Sequence, residues 1–178
     1  HIRLIEAYKK AHSDTDIELQ IICSGKQHDP HWSRIKDLLE KEGLTEDIRF
    51  IGLVPEKDLR SIYQLALFVI VPTLFEAASG PVFEAWYEGT PVACSNITSL
   101  PEQAAGAALL FDPFSVDDIK AALVRMTTEQ GLREDLRLKG QHRLQDFSWE
   151  QTAKAYRAVY RRAAGCSLSE EDERLLAW

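Results

Sequence analysis

The sequence LFEAASGPVFEAWYEGTPV, at residues 74–92, directly follows an apolar run and Pro-Thr. Two carboxylates, Glu76 and Glu84, stand eight positions apart around a turn of small residues, and Pro81 lies just inside a helix start. Backbone N–H groups at a helix start can bind an anion, and carboxylates accept hydrogen bonds from hydroxyl groups. The stretch therefore predicts a strand, a tight turn and a helix that together bind a ligand with both phosphates and hydroxyls, such as a sugar nucleotide.

Helical and extended patterns alternate through most of the chain, which favours a parallel sheet with helices on both faces. Predicted strands cover residues 17–23, 48–51, 67–71, 92–94 and 107–111. Predicted helices cover residues 2–11, 32–42, 56–66, 82–87, 115–126, 131–144 and 149–163, and the SLPE sequence at residues 99–102 has capping-box spacing for one more. The fold class is therefore α/β, with a Rossmann-like parallel sheet.

Composition limits the classes of function. The chain has 178 residues, of which 45% are hydrophobic, a size suited to one globular domain. A formal net charge of -7 disfavours nucleic acid as a partner. Three widely spaced cysteines suggest neither a zinc site nor a redox pair, and free thiols are typical of a reducing compartment such as the cytoplasm. No apolar run reaches the length of roughly 20 residues that a membrane span needs.

A series of short motifs occurs in one order: Glu76-x7-Glu84, GTPV at residues 89–92, SLPE at residues 99–102 and ALLFDP at residues 108–113. This order resembles the donor-binding, carboxyl-terminal half of GT-B glycosyltransferases, in particular the retaining family four. The resemblance runs from about residue 4 to about residue 163. It implies one lobe of a GT-B fold at residues 1–164, followed by a carboxyl-terminal tail at residues 165–178.

The resemblance also implies a function. Such enzymes transfer a sugar from a UDP-, GDP- or ADP-sugar to an acceptor hydroxyl with retention, and they need no cofactor and no metal. The first strand of this lobe, with an Arg and a Lys that meet the diphosphate, would lie upstream of His1. The acceptor, a glycan, lipid or small molecule, would bind a separate amino-terminal lobe, so this chain would transfer nothing alone. A cytoplasmic enzyme, with peripheral membrane association of the full-length protein, fits this family.

Individual site residues follow from the same resemblance. Glu76 is the catalytic candidate, since the first Glu contacts hydroxyls of the donor sugar near the bond that breaks. Glu84 would accept hydrogen bonds from the ribose hydroxyls, although an acid near a helix start is also favoured by the helix dipole alone. The turn would bind phosphate or sugar through free backbone amides and through the Ser79 hydroxyl. Its donor-binding residues would be Ala78, Ser79, Gly80 and Val82. Where the family usually has Gly-Phe-Gly-Leu-Pro, this chain has Ala-Ala-Ser-Gly-Pro, and alanine avoids positive φ.

Two other turns complete the predicted donor site. Gly52, Leu53 and Val54 follow a strand, where the family binds the nucleotide base, and an ordinary strand-to-helix turn explains them equally well. Gly25 and Lys26 lie at another strand end and could add positive charge, although Lys26 is more simply a surface lysine.

Metal-binding patterns are weak. Asp14-Thr15-Asp16 has the Asp-x-Asp spacing of metal-dependent glycosyltransferases of another fold, but it precedes a strand and is at the wrong end for a donor site. His28 and His31 lack further ligands. No metal site is therefore predicted. Two alternative functions stay open: a nucleotide-sugar epimerase-like GT-B protein and a non-catalytic Rossmann-like interaction module.

Overall fold

The computed structural model describes residues 1–15, 17–28 and 30–177. The chain forms two compact units, which divide after Gln141. Helices and strands alternate along the first unit, and its last helix ends two residues beyond the boundary. In chain order they are α1 (Ile2–Thr15), β1 (Ile21–Ser24), α2 (His31–Glu42), β2 (Ile48–Gly52), α3 (Glu56–Leu65), β3 (Val69–Val71), α4 (Gly80–Tyr87), β4 (Val92–Ser95), α5 (Leu100–Ala104), β5 (Leu109–Phe111), α6 (Val116–Thr128) and α7 (Gln130–Arg143).

The described strands pair in parallel and form two sheets. β1 pairs with β2, with Ile21 opposite Ile48. β4 lies between β3 and β5, with Cys94 opposite both Val71 and Leu110. The α/β class with helices flanking parallel strands is confirmed. The alternation of elements predicted one sheet, but no pairing joins β1 to β3 within the described residues, so the strands make two.

Strands begin later than the apolar runs that predicted them. The run at residues 17–23 becomes a strand only at Ile21, and the run at residues 67–71 only at Val69. Each strand begins opposite the first residue of its partner, because Ile21 pairs with the first residue of β2 and Val69 with the first residue of β4. Strand length is thus set by the partner, which a single run cannot reveal.

The core of the first unit contains one face of α1 together with residues of α2, α6 and the strands. Leu4, Ile5 and Tyr8 are almost fully buried, at the three- and four-residue spacing of a helix face. The Tyr8 hydroxyl donates to the Leu19 carbonyl at 2.9 Å. Because α1 also packs on α6, this core joins the two ends of the unit.

The carboxyl ends of β3 and β4 are tied together. The Ser95 hydroxyl donates to the Val71 carbonyl at 3.1 Å, and every residue of β4 is buried. The segments that follow these strands, residues 72–79 and 96–99, therefore start at the same edge of a parallel sheet. Ligands of open parallel sheets bind at this edge.

The second unit begins at His142 and contains a 3-10 turn (Leu144–Asp146) and two helices, α8 (Trp149–Ala163) and α9 (Glu170–Leu175). The sequence predicted α8 but not α9. Ser169 and Asp172 form a capping box at the start of α9. The Asp172 side chain is fully buried and accepts from Arg157 at 2.9 Å and from Arg161 at 2.8 Å, so the tail docks on α8 through charge. The end of this tail, Trp178, lies outside the described residues.

None of the helices in the described ranges combines the length and apolar character that crossing a bilayer requires.

Candidate donor-binding site

The backbone conformation of the turn between β3 and α4 is one that alanine readily adopts. Ser79 precedes the helix in an extended conformation, with φ -92° and ψ 111°, and Pro81 occupies the first turn. None of residues 77–80 has a positive φ. Ala77 and Ala78 are exposed and unstrained, so the loss of the family's glycines imposes no backbone strain at this turn.

Side chains from the β4–α5 segment hold Glu76 by its backbone. The Glu76 carbonyl accepts from the Thr98 hydroxyl at 2.6 Å and from the Ser99 hydroxyl at 3.1 Å. Thr98 has a φ of +50°, a conformation that non-glycine residues rarely adopt. The capping box predicted at residues 99–102 is wrong, because Ser99 makes no cap hydrogen bond and donates to Glu76 instead.

Gln103 binds the turn at its other end. Its Oε1 accepts from the Ser79 N–H at 2.8 Å, and its Nε2 donates to the Ser79 carbonyl at 3.0 Å. The prediction that the Ser79 amide is a free donor is therefore wrong. The Ser79 hydroxyl, predicted to add a ligand contact, is fully buried and has no hydrogen-bond partner in the described part of the chain. The first-turn residues left for the predicted amide contacts are thus Gly80 and Val82.

Glu84 lies in the second turn of α4, and its side chain is held in a definite orientation. Tyr63, at the end of α3, donates its hydroxyl to Glu84 Oε2 at 2.7 Å. Glu84 Oε1 lies 3.8 Å from the position that a Cβ on Gly80 would take, so the carboxylate folds back toward the helix start. Burial and this hydrogen bond raise the pKa of Tyr63 above its ordinary value, so the phenol stays a donor at neutral pH.

The next acid along the chain, Glu88 at the C-cap of α4, has other partners. Glu88 accepts from Arg60 Nε at 2.7 Å and from Gln64 Nε2 at 2.6 Å. The Arg60 side chain is half-exposed and forms an ion pair with Glu88. Arg60, Tyr63 and Gln64 thus lie on one face of α3, which binds one acid of α4 and the acid at its C-cap. Sequence reasoning missed Tyr63 and Gln64, although their spacing from Arg60 by three and four residues indicates a shared face.

Glu76 keeps its carboxylate available. Its side chain is partly exposed, and among the described residues it has neither a side-chain hydrogen bond nor an ion pair. Neither Glu76 nor Glu84 is buried in an unrelated ion pair, which would have excluded the predicted site.

The remaining predicted residues follow β1 and β2, in the other sheet. The Gly25 N–H donates to the Gly52 carbonyl at 2.9 Å, and both glycines have positive φ, at +123° and +72°. Leu53 is 78% exposed, and Lys26 is exposed without an ion pair in the described ranges. The two turns therefore lie side by side, while their binding roles stay predictions.

The structure shows no group of three or more metal-ligating side chains in the ranges it covers. Asp14 is in α1, where it pairs with Lys120, and Asp16 of the same motif lies outside the described residues. His28 and His31 are exposed.

Known proteins are similar to this chain in sequence and in fold. O-antigen chain mannosyltransferase B of Escherichia coli is 34% identical over 163 residues, which are 88% of this chain and 42% of that relative. The chain thus spans less than half the length of this curated relative. Sucrose-phosphate synthase of Thermosynechococcus elongatus superposes with a TM-score of 0.77 at 24% identity, over 93% of this chain and 43% of that one.

HepE of Anabaena, solved in complex with UDP and glucose, superposes with a TM-score of 0.72 at 17% identity, over 83% of this chain and 41% of that one. At such identities the two structural likenesses show the fold alone. The sequence profile of the family described as glycosyl transferases group 1 matches residues 1–143. The chain belongs to the glycosyl transferases group 1 family and has the fold of one GT-B lobe.

Proposed function

We propose that this chain is the donor-binding lobe of a glycosyltransferase that moves a sugar from a nucleotide diphosphate sugar to an acceptor hydroxyl, with retention. The observation that carries the proposal is the Glu84 carboxylate, which Tyr63 orients toward the exposed start of α4. A hydroxyl-binding acid thus lies beside a helix start that attracts anions. A ligand with vicinal hydroxyls and a diphosphate fits this combination.

Each part of the donor has a proposed partner. The ribose hydroxyls donate to Glu84, and hydroxyls of the transferred sugar donate to Glu76. The diphosphate binds at the first turn of α4, near Gly80 and Val82, where charge developing on the leaving group is stabilised. The base rests on the exposed turn at residues 52–54.

Lys26 is the proposed source of positive charge for the diphosphate. Its side chain is exposed and makes no ion pair within the described residues.

The sugar and the acceptor are also proposals. A hexose is favoured, with mannose as the first candidate, because the relative that is 34% identical is named a mannosyltransferase. The acceptor, a glycan, lipid or small molecule, would bind a second lobe, and this chain alone would bind donor without transferring sugar. No metal is required in this scheme. Free and largely buried thiols, Cys23 and Cys94, support a cytoplasmic location.

Calorimetric titration with UDP, GDP and their hexose derivatives at millimolar concentration tests the proposal. We expect binding of at least one, weakened roughly 10- to 150-fold by Glu84→Ala, because hydrogen bonds to a charged group contribute about 1.5–3 kcal/mol. Glu40→Ala, at an exposed glutamate of α2, is the control and should bind like the unaltered chain. No heat with any nucleotide from the folded chain would overturn the proposal, and equal binding by the Glu84 variant would favour an interaction module.

A further inference from the structure

Tyr63 is held at both its backbone and its hydroxyl. Its carbonyl accepts from the buried Thr90 hydroxyl at 2.7 Å, which fixes the end of α3 against the turn before β4. Its own hydroxyl donates to Glu84 Oε2 at 2.7 Å. The residue is 9% exposed, whereas Glu84 is exposed. A fixed donor from the protein interior thus meets an acid on the surface.

An exposed glutamate on a helix ordinarily samples several rotamers, and a ligand that binds it must restrict them. The Tyr63 hydroxyl selects one orientation before any ligand arrives. It also uses one carboxylate oxygen and leaves Oε1 to accept, on the side that faces Gly80. Because a phenol is neutral, the acid keeps its charge, which an arginine in the same place would have cancelled.

We infer that Tyr63 is the positioning residue for Glu84, and that it confers preference for a nucleotide with ribose hydroxyls over a deoxyribose counterpart. The inference rests on the proposed function, since it assumes that Glu84 accepts from the ribose. Tyr63 itself does not touch the nucleotide. It acts by holding the Glu84 carboxylate in the orientation that a vicinal pair of hydroxyls can meet.

The same helix face supplies a matched control. Gln64 is adjacent to Tyr63 and donates to Glu88, the C-cap of α4, four residues after Glu84. Gln64→Ala therefore removes a contact between α3 and α4 without touching Glu84. If Tyr63 mattered only because it joins these helices, both variants would weaken every nucleotide alike.

The experiment compares binding of GDP and UDP with that of 2′-deoxy-GDP and 2′-deoxy-UDP by calorimetry. The unaltered chain should prefer the ribonucleotide. Tyr63→Phe should reduce this preference about two- to twelvefold, which is the range of one hydrogen bond. Gln64→Ala should keep the preference, and Glu84→Gln should reduce it as Tyr63→Phe does. A 4-aminophenylalanine at position 63 can still donate to Oε2, so the preference should return.

The outcomes separate the two hypotheses. If Glu84→Gln keeps the full preference, the ribose role of Glu84 and the proposed function are wrong. If Glu84→Gln loses the preference and Tyr63→Phe keeps it, only the positioning role of Tyr63 is overturned. If Tyr63→Phe does not fold, the 4-aminophenylalanine variant tests the positioning role instead. A folded variant that can donate to Glu84 but shows no preference for the ribonucleotide would contradict that role.

Discussion

Replacing Gly140 with alanine should destabilise the packing of α7 against α4, since Gly140 lies against the Trp86 indole. A Cβ at this position would lie 2.2 Å from Trp86 Cδ1, 2.6 Å from Nε1 and 2.8 Å from Cγ, where ordinary contacts start at 3.4 Å. Trp86 is fully buried and cannot turn away into solvent. Either α7 or the helix that carries Glu84 must therefore shift.

The magnitude follows from two opposing effects. Overpacking a core costs about 1–3 kcal/mol, and three ring atoms in collision place this change near the upper end. Alanine also favours the helical conformation over glycine by about 1 kcal/mol. We expect Gly140→Ala to lower the free energy of unfolding by about 2 kcal/mol, the difference between the two.

Urea unfolding followed by circular dichroism measures this change. Gly131→Ala is the matched control, because it lies in the same helix and its Cβ would meet nothing within 4 Å. It should be neutral or stabilising by up to about 1 kcal/mol. Equal free energies of unfolding for the two variants would refute the collision as the cause.

Two further changes test the contacts that sequence reasoning did not foresee. Gln103→Ala leaves the buried N–H and carbonyl of Ser79 unpaired, so it should lower the free energy of unfolding by about 2–4 kcal/mol. Hydrogen exchange at the Ser79 amide should also become faster. Unchanged exchange would show that the Gln103 side chain does not protect this amide. A hydrogen bond from the Ser169 backbone, aided by Arg161, holds the pKa of Asp172 well below its ordinary value of 3.8. Its stabilisation of α9 is therefore complete above about pH 4 and is lost as the pH falls through the lowered pKa. The amide protection factors of α9, which correct for the intrinsic pH dependence of exchange, should fall as the pH drops below about 4. Asp172→Asn should show low protection already at pH 7. Protection that neither acid nor this substitution lowers would exclude the role of Asp172.

Local patterns predicted the parts of the site that depend on neighbouring residues. The apolar run before Glu76, the turn and Pro81 follow each other in the chain, and the structure shows strand, turn and helix in that order. This order alone was enough to predict that Glu76 lies in the turn and Glu84 in the helix that follows. The fold class was predictable for the same reason, because alternating periodicities report each element separately.

Contacts across long sequence separations were not predictable. Tyr63 is 21 residues from Glu84, and Gln103 is 24 residues from Ser79. Local spacing suggested a capping box at Ser99, but the hydroxyl serves a carbonyl 23 residues earlier. A tertiary hydrogen bond here replaced the local one, which is the general reason that polar side chains are harder to assign than apolar faces.

Two acids raise an electrostatic question, because Glu84 in α4 and Glu88 at its C-cap both lie close to a helix start proposed to bind an anion. Residues of α3 contact the two acids in different ways. Arg60 cancels the charge of Glu88, which also fixes α3 against α4. Tyr63 gives Glu84 a neutral donor and leaves its charge and one oxygen available. A bidentate arginine at this position would have joined the helices but occupied both carboxylate oxygens, so the phenol separates helix packing from ligand binding.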